Sequence, residues 1–464
     1  MVSRPLICIQ GLGFVGAAMA AAVARATQDD GEPAYDVIGI DLPTPEGRRR
    51  IDALNAGRFP FETVDRELRT AVAEAHAKGN LRASADPAFY ERASVVVVDV
   101  HLDVEVREGT ASTNFTGFRA AIRTLGERLV SGALILVETT VPPGTTAKIV
   151  APEIEQALGR RGLPSDAILI AHSYERVMPG PDYLRSITHF WRVYAGHTEE
   201  AAEAACAFLS RVIDVERFPL TRLGSTTASE TAKVMENSYR AVNIAFIDEW
   251  RRFAEVASVD LFEVIDAIRV RPTHNNIRQP GLGVGGYCLT KDPDFGPIAA
   301  RELFSRPDLA FPFSTGALAV NAESPRVALD RLIRLLNGSI AGKRILLLGV
   351  AYRSDVDDTR YSPSEGFVRA ARSAGAEVVC QDPLVTHWDE LKMDISRELP
   401  SPKGFDAIVF AVAHGEYRAM DVVGWLADDA PLVFDANRVL NAQTVAGLRS
   451  KGVRVALVGV GDAV

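Results

Sequence analysis

The stretch ICIQGLGFVGAAMAAAVA, residues 7–24, decides the fold. An apolar strand-like run leads into glycines at 11, 13 and 16, and an alanine-rich helical pattern follows at once. In a strand–turn–helix unit this GxGxxG spacing has a physical meaning. Gly11 permits the tight turn, Gly13 lets backbone come close to a pyrophosphate, and Gly16 lets the helix pack against the strand. The helix start, at Phe14 and Val15, aims the positive end of its dipole at phosphate oxygens. The next strand pattern, VIGIDLP, ends on Asp41. That carboxylate would accept hydrogen bonds from adenosine ribose hydroxyls, which predicts NAD in preference to NADP. Arginines follow at 48–50, and one that reached the ribose would make NADP acceptable. A purely structural glycine turn would use the same triplet.

Outward from this turn, apolar runs alternate with amphipathic helical stretches. The strand candidates LICIQG, YDVIGID, SVVVVDV, ALILVETTV, AILIAH and WRVYAG are separated by patterns such as FTGFRAAIRTLGERLV and EEAAEAACAFLSRVI. Continuous Val/Ile/Leu runs between helices predict a parallel sheet covered on both faces. Residues 225–268 contain neither Gly nor Pro and suit one long helix, with a break near Ser258. Such a helix packs readily on a symmetry mate, so a homodimer is expected. A second α/β pattern opens at KRILLLGVAY, residues 343–352, and runs to VRVALVGVG. The expected fold class is α/β, with two doubly wound Rossmann-like domains joined by a long central helix. The expected domains are 1–215, 216–325 and 326–464, in line with two to three domains for 464 residues.

Composition narrows the function classes. A net charge of −9 argues against nucleic acid or an anionic membrane as the main partner. No apolar window approaches the roughly 20 residues that span a bilayer. The amino terminus runs straight into a strand, which predicts no secretory leader. Four scattered cysteines without CxxC spacing give neither a disulfide framework nor a metal site. A cytoplasmic protein with reduced thiols is the expectation.

The second informative stretch is PGLGVGGYCLTKDP, residues 280–293. Its glycines suit a loop wrapped closely on a ligand, and Cys288 beside Lys291 suits a nucleophile of lowered pKa. A buried small hydrophobe would use the same residue. Lys233 and Asn237 share a helix face, either converging on a site or forming a solvated stripe. Thr140 in ETTVPPGTT and Glu175 in HSYERVMPG fall at strand ends, where a doubly wound sheet lines its ligand crevice, although turns use such residues too. Arg353 and Arg360 are candidate anion contacts or plain surface.

Together these motifs resemble the UDP-glucose/GDP-mannose dehydrogenase family, the nucleotide-sugar 6-dehydrogenases. GLGFVG matches its cofactor turn, ETTVPPGTT its S/T-T-V-P-P-G-T segment, and KVMEN its Lys/Asn helix motif. GVGGYCLTKD is similar to G-x-G-G-x-C-[LI]-x-x-D, and GVAYRSDVDDTRYSP to G-[LV]-[AS]-[FY]-K-x-x-x-D-D-x-R-x-S-P. The resemblance implies a four-electron oxidation at sugar C6, using two NAD+ and one water. Asp292 and a water would take the first proton, and Cys288 would carry a thiohemiacetal and then a thioester. Lys233 and Asn237 would stabilise oxyanions. Thr140 and Glu175 would position the hydrolytic water. Cofactor contacts would come from Gly11, Gly13, Phe14, Val15, Gly16, Asp41, Thr140 and Arg360. The nucleotide sugar would meet Glu175, Arg176, Lys233 and Asn237. Gly283, Gly285, Tyr352 and Arg353 would hold its UDP end, and Arg271 would reach across a dimer.

The chain departs from the pattern at three places. The V-P-T-P-x-D strand end is VDVHLD here, with Val100 at the cofactor-contacting Thr. Arg353 replaces a Lys, a planar fork for a point charge. Tyr287 precedes the cysteine where Ser or His is usual. ERVMPG favours a UDP-N-acetylhexosamine, whereas CLTKD is nearer the UDP-glucose branch. A two-electron hydroxyacid dehydrogenase would need neither the cysteine loop nor the second α/β domain. A non-catalytic nucleotide-binding homologue would explain only VDVHLD.

Overall fold

The computed structural model describes residues 4–427 and 429–461. The chain divides into two compact units: Met1–Glu236 with Asp294–Ala310, and Asn237–Pro293 with Phe311–Val464.

The first unit is built on one sheet. Its strands are β1 (Leu6–Gln10), β2 (Asp36–Ile40), β3 (Leu81–Ser84), β4 (Ala93–Val98), β5 (Leu134–Val137), β6 (Leu169–His172), β7 (Val193–Gly196) and β8 (Thr221–Arg222). Their order across the sheet is β8-β7-β6-β5-β4-β1-β2-β3. The apolar runs form strands because both faces are buried. Ile7 and Ile9 enter one core with Ala18 and Val23 of helix α1 (Phe14–Arg25), while Cys8 between them enters the other with Val96 and Ile122. Each such Ile or Val side chain contributes roughly 1.5–3 kcal/mol by burial. The parallel expectation needs one correction: β7 pairs antiparallel to β6. WRVYAG carries a strand signal, but strand direction depends on the path of the connection and not on local residues.

The direction of winding reverses between β1 and β4, and ligand crevices open at such a point, beyond the strand C-termini. The chain therefore sets Gly11, Asp99, Thr139 and Ser173 along one edge, at the ends of β1, β4, β5 and β6. Helix α2 (Pro45–Asn55) follows β2, with Thr44 capping it through Gly47 N.

Helix α3 (Thr226–Ala257) is continuous for 32 residues, and the division between the units falls inside it, after Glu236. It stops at Ser258, whose φ of 57° is left-handed and costly for a side-chain-bearing residue. Asp260 then caps helix α4 (Leu261–Arg269) by accepting from Phe262 N. The break falls where the sequence placed it.

In the second unit, α3 packs on helix α5 (Pro312–Leu335) through small residues, Ala241 and Ala245 against Ala317. Polar side chains fix the pairing: Asn321 donates to the Ala241 carbonyl at 3.1 Å and Ser324 to Asp248 at 2.8 Å. Helix α3 leaves Phe246, Trp250, Phe253 and Val256 exposed.

The unit's sheet comprises β9 (Arg344–Leu348), β10 (Glu377–Gln381), β11 (Ala407–Phe410), β12 (Leu432–Asp435) and β13 (Val455–Leu457). All pairs are parallel, in the order β10-β9-β11-β12-β13. This is a second doubly wound sheet, with its reversal between β9 and β11. Among the described residues, no helix is long and apolar enough to cross a membrane.

Candidate active site

In the first unit the glycine turn has the geometry its spacing predicts. Gly11 has φ 96°, and its N–H donates to the Ile40 carbonyl at 2.8 Å. A Cβ on Gly16 would lie 1.9 Å from the Gly11 carbonyl oxygen, so only glycine lets α1 start there. Among the described residues nothing lies within 4 Å of where a Gly13 Cβ would stand, which leaves the helix N-terminus open for a pyrophosphate. Phe14 stacks on Phe61 with ring centroids 4.0 Å apart, and its carbonyl accepts from Tyr183 Oη at 2.6 Å. Val15 is half-buried beside it.

Asp41 stands at the end of β2. It accepts from Leu12 N at 3.3 Å and from Leu42 N at 2.8 Å. Arg50, one of the three arginines noted above, donates to the same carboxylate at 3.3 Å and to Glu46 at 3.0 Å. A carboxylate acceptor and a cation thus stand together at the end of β2. The residues present fit a dinucleotide.

At the end of β4, Thr139 Oγ1 donates to the carbonyls of Val98 and Val100 at 3.0 Å each. This ties the atypical VDVHLD segment to the β5 end, with Thr140 next in line and half-buried. Burial and the charge of Glu175 push the Asp99 carboxyl well above the usual range, against the pull of Arg192. Arg192 is itself buried and paired with Glu138.

Lys233 and Glu175 meet in this unit, and both are buried. Lys233 Nζ donates to the Glu175 carbonyl at 2.9 Å and lies 3.6 Å from its carboxylate. The carboxylate also accepts from Val177 N. Arg176 pairs with Glu236 and lies 5.4 Å from the Tyr174 ring centroid. One turn before Lys233, Ser229 meets His172 Nδ1 at 2.8 Å. Burial, with the charge of Lys233, pushes that imidazole down to about 3, so it is neutral.

The cysteine loop belongs to the second unit. Cys288 is exposed, whereas Cys8 and Cys380 are buried and Cys206 is partly so. The small-hydrophobe reading is thereby corrected for Cys288. Its carbonyl accepts from Lys291 N at 3.3 Å and Asp292 N at 2.9 Å, a turn that fixes Asp292 to the cysteine. Lys291 Nζ lies 2.8 Å from Asp292 Oδ1, and Asn237 Nδ2 donates to Oδ2 at 2.7 Å. All three are buried. Both carboxylate oxygens are held, so the group has one orientation.

The glycines of this loop are first a packing requirement. Gly286 has φ 83°, and a Cβ on it would stand 2.6 Å from the Tyr352 ring; Gly285 is equally close to Pro363 and Tyr352. The loop lies flush on the GVAYRSDVDDTRYSP segment. That segment leaves β9 at the sheet's reversal, where a cleft is lined by Gly283, Tyr352, Arg353, Ala411, Val412 and Asn437. Arg353 is exposed there. Burial pushes the Tyr352 phenol up to about 12, so it is a neutral donor. Arg360 grips Asp358 with two nitrogens at 2.6–3.1 Å. Arg271 is exposed and precedes a short 3-10 turn, Pro272–His274.

Sequence reasoning missed Glu230. Its carboxylate accepts from Gly144 N at 2.6 Å and Thr146 N at 2.7 Å, docking the Pro-Pro-Gly loop on α3. Burial pushes it up to about 7, against those two hydrogen bonds. The signal available was its place one turn before Lys233 on the same face. The second acid–base partner missed was Lys291 as the holder of Asp292.

Three family models match the chain in order. They are the NAD binding domain of the UDP-glucose/GDP-mannose dehydrogenase family over residues 5–213, its central domain over 227–322 and its UDP binding domain over 346–442. A UDP-N-acetyl-D-mannosamine dehydrogenase of Pyrococcus horikoshii is 31% identical over 421 residues, 89% of this chain and 91% of its own. An NDP-N-acetyl-D-galactosaminuronic acid dehydrogenase of Ralstonia solanacearum is 28% identical over 429 residues, 89% of this chain and 92% of its own. A solved structure of the UDP-D-ManNAc dehydrogenase from Pyrococcus horikoshii superposes with a TM-score of 0.82 at 27% identity, covering 99% of this chain and all of the other. The chain belongs to the UDP-glucose/GDP-mannose dehydrogenase family of NAD-dependent oxidoreductases that act on nucleotide sugars.

Proposed function

We propose that the protein oxidises the C6 hydroxyl of a UDP-N-acetylhexosamine to the uronic acid through a covalent intermediate on Cys288. The observation that carries this is the loop that exposes Cys288 while its own carbonyl holds Asp292, whose oxygens are fixed by Lys291 and Asn237. The names of the Pyrococcus and Ralstonia relatives support an N-acetylated sugar.

NAD, when bound by the Gly11–Gly16 turn and Asp41, supplies the hydride acceptor for both oxidations. In the first, Asp292 or a water at it takes the C6 hydroxyl proton. The Cys288 sulfur then bonds to the aldehyde carbon, and its proton passes to the aldehyde oxygen, giving a thiohemiacetal. The second oxidation removes the remaining C6 hydrogen as hydride and passes the hydroxyl proton to the water at Asp292, leaving a thioester. Water adds, the C–S bond breaks, and the thiol and carboxylate are released. Lys233 and Asn237, both buried donors, stabilise the oxygens that gain charge. Glu175 and Thr140 position the hydrolytic water. Arg353, Tyr352, Gly283 and Gly285 hold the UDP end, with Arg176 and Arg271 on the sugar and Arg360 near the cofactor.

In this reading residues 1–215 bind NAD, 216–325 form the central helical domain and 326–464 bind the UDP-sugar, in the cytoplasm. A homodimer covers the exposed Phe246, Trp250 and Phe253 of α3. CLTKD favours UDP-glucose as the second reading. The test is NADH formed per sugar consumed, with UDP-N-acetylmannosamine, UDP-N-acetylglucosamine, UDP-glucose and UDP-galactose. Two NADH per molecule of one sugar is expected. One per sugar would overturn the four-electron route.

A further inference from the structure

Tyr287 stands immediately before Cys288, and its ring faces two cations. Lys291 Nζ lies over it, 4.3 Å from the centroid, and the Arg360 guanidinium carbon 5.6 Å from it. The Tyr361 ring lies 6.2 Å away at 45°. Lys291 is buried, and burying an ammonium is costly unless other groups face it. Here these include the Asp292 carboxylate at 2.8 Å and the electron-rich face of the tyrosine. The chain turn between them is tight, because the Cys288 carbonyl accepts from both Lys291 N and Asp292 N.

We propose that Tyr287 is a positioning residue whose ring seats Lys291 against Asp292. Lys291 thereby holds Oδ1, Asn237 holds Oδ2, and the carboxylate keeps one orientation beside the cysteine. The same ring also meets Arg360, itself clamped on Asp358, so the seat joins the cysteine loop to the GVAYRSDVDDTRYSP segment. The first unit contains an independent instance of the device: the Tyr174 ring lies 5.4 Å from both Lys233 Nζ and the Arg176 guanidinium. The cation contacts are made with the ring, which separates this role from a hydrogen bond by the hydroxyl. The inference rests on the reading of Asp292 and Cys288 as reacting groups.

The test compares Tyr287→Leu, which keeps bulk and removes the aromatic face, with Tyr287→Phe, which removes only the hydroxyl. Tyr287→Met replaces the leucine variant if that one fails to fold. The leucine variant is expected to lower kcat about tenfold while the sugar KM moves less than about threefold; the phenylalanine variant stays within about twofold of wild type on both. Trace acetylation of Lys291, read by peptide mass spectrometry, needs no turnover. It is expected to rise by about fivefold or more in Tyr287→Leu and to stay at the wild-type level in Tyr287→Phe. Equal damage from both variants, a change confined to KM, or unchanged Lys291 labelling in Tyr287→Leu would overturn the proposal. A wild-type protein that oxidises none of the four sugars would count against the reaction itself, and the labelling comparison would still decide the seat.

Discussion

Each unit buries a lysine beside a carboxylate, and the two pairs are built differently. Lys291 and Asp292 are neighbours in the chain, 2.8 Å apart, on a turn closed by the Cys288 carbonyl. Lys233 and Glu175 are 58 residues apart, meet at 3.6 Å, and are joined more closely through the Glu175 carbonyl at 2.9 Å. The first pair is a local object that the loop makes for itself. The second exists only because α3 docks against the strand ends, through Ser229 on His172 and Glu230 on the Pro-Pro-Gly loop. Removing the exposed thiol from the loop should therefore affect chemistry and leave the fold intact, whereas damage to the docked helix should affect both.

Cys288→Ala should have the largest effect. Uronate formation is expected to fall by about three orders of magnitude or more, with an unchanged melting temperature, since the side chain is exposed. Product analysis by mass spectrometry checks this, and a variant that still made uronate at a tenth of the wild-type rate would end the thioester route. Lys233→Met comes next. Losing one preorganised donor should cost about 10²–10³ in kcat. This variant should also lower stability, because it leaves Glu175 buried without its cation. Loss of activity alone, with a wild-type melting curve, would break the distinction drawn between the two pairs.

Glu230 sharpens the same contrast through pH. Its carboxyl is raised in the folded protein, from an ordinary 4.5 to about 7. A raised carboxyl favours folding most below the unfolded value, and that contribution is lost as pH rises through the folded one. Denaturant unfolding should show wild-type stability falling between pH 5 and pH 8 by about 2–3 kcal/mol more than in Glu230→Gln. Parallel pH curves for the two proteins would mean that the carboxylate is not the docking device. The smallest effect belongs to Arg50→Ala. The Asp41–Arg50 contact at 3.3 Å is partly solvated and worth about 0.5–1 kcal/mol. Removing the cation leaves Asp41 to repel a 2′-phosphate, so NADPH fluorescence titration should show weaker binding relative to NADH by a few-fold.

What the sequence disclosed follows the same division between local and distant. The GxGxxG turn, the six apolar strands, the helix break at Ser258 and the cysteine loop are written in runs of a few residues. Leu81–Ser84 alternates apolar and polar side chains for only four residues, and Thr221–Arg222 is only two residues long, so neither run is long enough to stand out. The antiparallel direction of β7 is a property of the connecting path. Glu230 reaches back 84 and 86 residues to two backbone amides, which bear no side-chain identity to read. The loop glycines were legible as a close approach, but the surface approached is the protein's own Tyr352 and Pro363.

The uneven exposure of the thiols also makes the protein unusually simple to address with a reagent. Burial pushes the Cys8 and Cys380 thiols up to about 12, out of reach of a soft electrophile at neutral pH. Cys206 is half-covered, and Cys288 alone stands open. A mild iodoacetamide or maleimide probe would thus enter predominantly at one atom. A fluorophore attached there would place a reporter inside the cysteine loop without any engineering of the other cysteines.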